Sequence, residues 1–521
     1  MPALLLAVAV LTAGCTVGPS QRPPVAVRGD GVASPAQPPP FAPHPPGPAE
    51  LPEPDPQRPV TNFEDCTADQ LTAALVPVPP DRSLRVDCAE LTVPADPDQP
   101  QLGRTRIDIL RVGLADAPED RPPLLVLGDS AVEATARHAI KVAAQIPRPV
   151  LDRFTLVGLD RRGFGGDALD CAPADARAAL VDTDVTDETT LAELLEYART
   201  IVQECHVLLS GGASGFSSAS TASDVRQLHD ALGVARLSAV GVGDGATALA
   251  RWALLAPGSV GRLVLDGPPD PGIDEPARTE ARAGAAETTF DAFGLACTSR
   301  PGCPLGPNPR ATVFSLLVEL RGRPMISPDG RALTVGGALT ALLDGLGEPR
   351  TWPALATALA AARAGDPVAL LDVLDPIAGL GGRFDAMLAT SCNDAARRLS
   401  PGEIGRLADD WRAEYPLFGR TFALRLLACA PWPAVPAQPP PTAVPGLPPV
   451  LVLGTANDPR GPLEGSRRAA QTLPTGRFLS WQGAGTGAYP RTTCVNDAVG
   501  RFLVDGVAPS GDIERSLLCP P

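Results

Sequence analysis

Histidine is scarce in this chain: there are four in 521 residues, at positions 44, 138, 206 and 229. All of them precede the strand pattern at 237, so chemistry that needs an imidazole in the C-terminal half is excluded. Lysine is scarcer still. Lys141 stands alone, and nearly all positive charge is arginine. Acidic residues outnumber basic ones 59 to 44, for a net charge of −15 and an isoelectric point near 4.8. That balance excludes a nucleic-acid partner, whose phosphates require a basic surface, and electrostatic docking on anionic lipid. No C-x-x-C pair is present, which removes the zinc-ribbon and dithiol-redox readings. There is no phosphate loop and no cluster of metal ligands, so neither a cofactor nor a metal is expected. Beyond the first fifteen residues, no apolar run is long enough to suggest a membrane span.

What is present begins with an export signal. MPALLLAVAVLTAGC (1–15) is an apolar run ending in small residues before a cysteine, too short to span a bilayer. Its end, LTAGC, resembles a lipobox, although Thr12 stands where leucine is usual and a basic leader is missing. The expectation is a lipoprotein signal over 1–14 with Cys15 as the acylated membrane anchor; an ordinary cleaved signal peptide is the alternative. Residues 15–61 are proline-rich and read as a tether. Removing Cys15 from the 11 cysteines leaves an even number, in neighbouring couples: Cys66/Cys88, Cys171/Cys205, Cys297/Cys303, Cys392/Cys429 and Cys494/Cys519. Spacing alone fixes no connectivity. Nearest-neighbour pairing is the simplest choice, at roughly 2–4 kcal/mol per bridge, and it agrees with an exported chain.

From residue 62 strand patterns alternate with helical ones. The strands read SLRVDCAELTV (83–93), RTRIDILRV (104–112), PPLLVLG (122–128) and FTLVGLD (154–160), with helices over 134–144, 190–207 and 222–232. This rhythm predicts an α/β fold with a mainly parallel sheet and helices on both faces. Residues 273–440 are rich in alanine and leucine with no clear strand series, as an inserted helical cap would be. The core is therefore expected over 62–272 and 441–521, where PVLVLGT and GRFLSWQG resume the strands.

The central stretch is LSAVGVGDGATALARWALL (237–255), a buried strand, a glycine turn and a helix. This is the layout of a nucleophile elbow, G-x-S-x-G, which places a serine on a strained strand-to-helix turn. Gly241 and Gly245 keep the spacing, but Gly243 holds the serine position and Asp244 follows it.

Together with LVGLDRRGFG (156–165), TASDVRQLHDALG (221–233), RLVLDGPPDP (262–271), SCND (391–394), CAPWP (429–433), VLVLGTANDP (450–459) and TTCVNDAVGRFLVDG (492–506), the elbow resembles the secreted actinobacterial α/β-hydrolases related to tripeptidyl aminopeptidases and proline iminopeptidases, with their characteristic C-terminal segment. The resemblance covers about residues 62–521. It implies the α/β-hydrolase fold, and serine peptidases or esterases as relatives. Carried over residue by residue, the nucleophile position is Gly243, the acid position is Asp458, and the histidine position is Thr486, in Gly483-Ala484-Gly485-Thr486-Gly487. The oxyanion loop falls on Gly128 and Asp129, where Asp129 and Glu133 bring negative charge toward the place an oxyanion would form.

Asp244 admits two readings: an aspartate nucleophile, or a cap for the helix beginning near Gly245. The serines and threonine of 214–223 read as a loop leading to a helix N-cap near 221–223. Three functions follow. The first is an envelope lipoprotein of hydrolase fold that binds a peptide, small molecule or protein between core and cap without turnover. The second is a divergent hydrolase with an unconventional nucleophile. The third is an interaction protein whose cleft is vestigial; a filled, pocketless cleft would count against small-ligand binding.

Overall fold

The computed structural model describes residues 62–118, 120–183, 188–209, 212–433, 445–509 and 516–521. The expectations for the 1–14 signal, Cys15 and the 15–61 tether lie outside these residues.

Twelve strands are present among them: β1 (Glu64–Asp65), β2 (Leu84–Pro94), β3 (Arg104–Leu114), β4 (Pro123–Leu127), β5 (Thr155–Leu159), β6 (Leu237–Val242), β7 (Val260–Asp266), β8 (Met325–Ile326), β9 (Ala332–Leu333), β10 (Val450–Asn457), β11 (Gly476–Ala484) and β12 (Leu517–Cys519). Ten form one sheet in the order β1-β2-β3-β5-β4-β6-β7-β10-β11-β12, and β8 and β9 form a separate hairpin. The pairs from β1 to β5 along this order are antiparallel. From β5 to β12 every pair is parallel.

The parallel strands are continuous apolar runs because both faces of the sheet are covered. Successive side chains point to opposite faces, and the core divides accordingly. Leu124, Val126, Val240, Val264, Leu451 and Leu479 pack on one face, against Ile140 and Val499 from flanking helices. Leu125, Leu127, Ala239, Leu263, Val452 and Phe478 pack on the other, against Leu228, Leu249 and Trp252. One functional consequence follows from parallelism alone. The loops after β4, β6, β7, β10 and β11 leave the sheet at a single edge, where open α/β sheets carry their sites.

Between β7 and β10 the regular structure among the described residues is helical apart from the β8–β9 hairpin. Side-chain N-caps start several of these helices, among them Asp274, Asn308, Thr334 and Ser400, the last with a full capping box to Glu403. Their apolar core also takes Leu180, Leu194 and Ile201, from helices Ala174–Val181 and Glu188–Leu208 that precede the elbow. The buried carboxylate of Asp385 fastens the two groups. It accepts the backbone N–H of Cys171 and of Ala172 at 2.7 Å and the Nε–H of Arg177 at 3.1 Å. Helix Val335–Leu346 is buried over most of its surface among the other helices, and Thr340 and Asp344 are its polar side chains. No single helix among the described residues is long and apolar enough to cross a membrane.

All five disulfides join the sequence neighbours, Cys66–Cys88, Cys171–Cys205, Cys297–Cys303, Cys392–Cys429 and Cys494–Cys519. Two expectations need correction. The helix before the elbow starts at Ser218, not near 221–223, because Ser217 is the residue whose hydroxyl accepts the Ser220 N–H. The helix expected over 134–144 is His138–Gln145, since Asp160 holds the chain at the Ala136 N–H and delays its first turn.

Arg162 ties the end of β5 to helix Ser218–Leu232. Its guanidinium forks onto both oxygens of Asp224 at 2.7 and 2.8 Å and donates to the Pro94 carbonyl at 2.7 Å. The two side chains are only 5% and 2% exposed. Asp224→Ala strands a buried cation and is expected to cost about 3–5 kcal/mol in denaturant unfolding. Adding Arg162→Met should recover much of that loss.

Candidate functional site

β6 ends at Val242, and the chain reverses through Gly243 into helix Asp244–Leu255. Gly243 has φ +56° and ψ −120°, a conformation that strains any residue with a side chain. Its N–H donates to the Asp266 carbonyl at 2.8 Å, fixing the turn to the end of β7. Gly245 is required for a different reason. A Cβ there would lie 2.5 Å from the Gly128 carbonyl oxygen and 2.8 Å from that of Leu127. The helix therefore sits directly on the end of β4. Gly241 likewise faces Ala246, whose backbone nitrogen is 2.9 Å from where a Cβ would be.

The space beside Gly243 is occupied. A Cβ at residue 243 would overlap the Asp129 carboxylate. That carboxylate accepts the Asp244 backbone N–H at 3.1 Å and the Ala131 N–H at 2.7 Å. In a hydrolase of this geometry, the N–H after the nucleophile and one from the loop after the preceding strand stabilise the oxyanion. Here the Asp129 carboxyl group holds the N–H after residue 243 and one from the β4 loop. Asp244 does not cap its own helix, contrary to one sequence reading. Its carboxylate turns to the β4 loop, accepting the Ser130 N–H at 2.9 Å, the Ser130 hydroxyl and the buried guanidinium of Arg161.

The two aspartates are pushed apart. Burial, and then the neighbouring Asp244 charge, hold Asp129 above the usual carboxylate range against Arg460 and the backbone donors. Burial also raises Asp244, but Arg161 and the Ser130 hydrogen bonds overcome it and leave Asp244 below that range. Glu133, expected near the oxyanion position, turns away to pair with Lys141 and Thr135.

Asp458 follows β10 and is 2% exposed. One oxygen accepts the N–H groups of Arg460 and Gly461 at 2.9 and 3.0 Å, and the other accepts that of Gly487 at 3.2 Å. The acid position therefore holds the β11 loop by its backbone. Thr486 occupies that loop. Its N–H donates to the Gly347 carbonyl at 2.8 Å, and its hydroxyl is buried without a partner. Asp266 completes the assembly, accepting the N–H groups of Ala488 and Tyr489 at 2.9 and 2.8 Å. Gly243, Asp458 and Thr486 thus lie on one hydrogen-bonded set of loops.

No imidazole enters it. His138 packs beside Gly128, behind the β4 loop. Burial, aided by Lys141 and opposed by Glu133, pushes it down to about 4 and keeps it neutral. His206 and His229 lie on helices before the elbow, and His44 is outside the described residues.

Helical residues close over these loops. Arg491 reaches Glu348 at 3.1 Å and the Gly347 carbonyl at 3.3 Å. Asp344 receives Arg383 and, at 3.0 Å, Arg460. Arg383 also donates to the Ala131 carbonyl at 2.9 Å. Sequence reasoning missed Arg161, Arg383, Arg460 and Asp344. Only Arg161 lay in a quoted motif, and the others become neighbours through folding alone. A cavity of about 190 Å³ is lined by Asp108, Asp160, Arg161, Phe164 and Phe216 among others, and so borders the site through Arg161.

Comparison with known proteins agrees with this architecture. Residues 139–321 match the family described as alpha/beta hydrolase fold, and residues 415–514 match the family described as TAP-like protein. The chain has the α/β-hydrolase fold and is related to the tripeptidyl aminopeptidases. It is 27% identical over 457 residues to the serine protease Hip1 of Mycobacterium tuberculosis, covering 81% of this chain and 86% of that one. It is 27% identical over 466 residues to carboxylesterase B of the same species, covering 83% and 86%. To the tripeptidyl aminopeptidase of Streptomyces coelicolor it is 24% identical over 483 residues, covering 88% and 86%.

Two predictions follow from the geometry. Gly243→Ser alone meets both backbone strain and the Asp129 carboxylate, and is expected to lower stability by about 1–3 kcal/mol in denaturant unfolding. Adding Asp129→Gly should restore part of it, a non-additivity that a double-mutant cycle reads directly. The second concerns Asp266, which burial raises to about 6 against the Tyr489 and Ala488 N–H groups. An unfolded aspartate ionises near pH ~4. The contribution of Asp266 to stability is therefore full below that pH and lost as pH rises through about 6. Asp266→Asn should flatten the fall of unfolding free energy across this interval.

Proposed function

We propose that this chain is a cell-envelope lipoprotein, anchored through Cys15, that keeps a hydrolase frame to bind rather than to turn over. The observation that carries this reading is the Asp129 carboxylate, seated beside Gly243 on the backbone donors that a hydrolase keeps for its substrate. In serine hydrolases, losing the nucleophile or the base costs a factor on the order of 10⁶ in turnover. Here Gly243 and Thr486 stand at those positions, and no histidine follows the elbow. The ligand is a peptide, small molecule or protein received between the sheet edge and the helical insertion.

A second reading, a divergent hydrolase, draws on the same carboxylate, since Asp129 sits where a nucleophile would. Against it stand the two N–H groups that Asp129 already accepts, its raised pKa and the missing base. Asp244 is a weaker candidate, because Ser130 and Arg161 already engage it.

Turnover of p-nitrophenyl acetate and of a peptide anilide with a free N-terminus decides between the two. The mature protein is expected to match buffer, and Asp129→Asn and Asp458→Asn to be indistinguishable from it. Hydrolysis that either substitution abolishes would overturn the non-catalytic reading.

A further inference from the structure

Three guanidinium groups meet above the elbow: Arg383 and Arg460 share Asp344 and also feel Asp129, whereas Arg425 has only a hydroxyl for a partner. Arg383 precedes helix Phe384–Asp394, Arg425 ends helix Gly419–Arg425, and Arg460 lies in the loop after β10. They converge on one face of helix Val335–Leu346. Arg383 and Arg460 share a single oxygen of Asp344. One turn away, Arg425 donates to the Thr340 hydroxyl at 2.7 Å and lies over the Phe422 ring, 5.5 Å from its centroid. Among the described residues Arg425 has no carboxylate partner. Burial first, and then repulsion from Arg460, lower it to about 10.

Holding an unpaired cation out of water is costly, and well-packed apolar residues at such positions are often at least as stable. Stability alone therefore does not account for the cluster. These groups also keep contact with solvent. The side chains of Arg383, Arg460 and Asp344 are 13%, 14% and 26% exposed, and Asp129, Gly243 and Arg425 are only partly buried. The cluster borders the elbow, because Arg383 donates to the Ala131 carbonyl and Arg460 acts electrostatically on Asp129.

We propose that Arg383, Arg425 and Arg460 form an anion site that takes a ligand carboxylate, of the kind a short peptide presents at its free C-terminus. A planar guanidinium matches a planar carboxylate through paired N–H donors, and Asp344 shows that two of these arginines already converge on one carboxylate oxygen. The inference rests on the non-catalytic reading of the cleft and names the ligand class for it.

Calorimetric titration of the mature protein with N-acetyl-dialanine, as free acid and as C-terminal amide, tests the site. The acetyl group removes any contribution from an amine. The free acid is expected to bind, the amide at least tenfold more weakly, and added inorganic phosphate at equal concentration should leave the acid's affinity unchanged. Arg425→Met should weaken the acid at least tenfold while its melting temperature stays level or rises. Should that variant fail to fold, Arg460→Gln should show the same loss. Equal binding of acid and amide, displacement by phosphate, or full affinity in the folded variant overturns the proposal. Mass spectrometry of the recovered peptide separates the two layers. Cleaved peptide overturns the non-catalytic reading, whereas intact peptide with no binding overturns this site alone.

Discussion

Asp266 is the residue on which the site's architecture depends. It ends β7 and has no exposed surface. Its carbonyl takes the Gly243 N–H, and its carboxylate takes those of Ala488 and Tyr489. One buried residue therefore fixes the elbow and the last catalytic-position loop to the same strand. Asp458 repeats the device one strand further on, holding Gly487. Backbone N–H groups bonded to a buried carboxylate are costly to release, since each would be left unsatisfied. The geometry of these loops is thus carried by main chain and by two acids outside the elbow, with no part taken by the side chain at 486.

The electrostatics of the elbow differ from those of an open oxyanion hole. There, donors wait for a charge that develops during reaction. Here Asp129 supplies a standing acceptor in the same place, and Arg161 fixes the next carboxylate beneath it. Above, Asp344 and Glu348 take arginines from the loops after β10 and β11. The helical insertion is consequently latched to the sheet edge by the loops that a hydrolase uses for chemistry.

Much of this was legible before folding. The alternation of apolar runs with helices gave the sheet, the neighbouring cysteines gave the bridges, and the glycines at 241 and 245 located the elbow. Those signals are local, set by periodicity or by spacing within one turn. Asp129 was visible as a charge in the oxyanion loop, yet not as the occupant of the position beside Gly243, because that contact joins loops from two strands. Arg383, Arg425 and Arg460 were invisible for the same reason: each follows a different element, and no pattern in the chain sets them side by side. Ser217 as the true N-cap and the outward turn of Glu133 were decided by neighbours a few residues away, among several that fit equally well.

The bridges carry one further consequence. Their sequence separations run from 6 to 37 residues, and none encloses another. None spans residues 267–449, the stretch that separates β7 from its neighbour β10. In the oxidised unfolded chain they are small independent rings; Cys297–Cys303 and Cys392–Cys429 lie inside this stretch and shorten it without closing it. Bringing β10 back to β7 must be achieved by the helical insertion itself, whose folding draws its two ends together and so reduces the entropy of closing that loop. The insertion is thus a structural requirement of the sheet's second half as well as its lid.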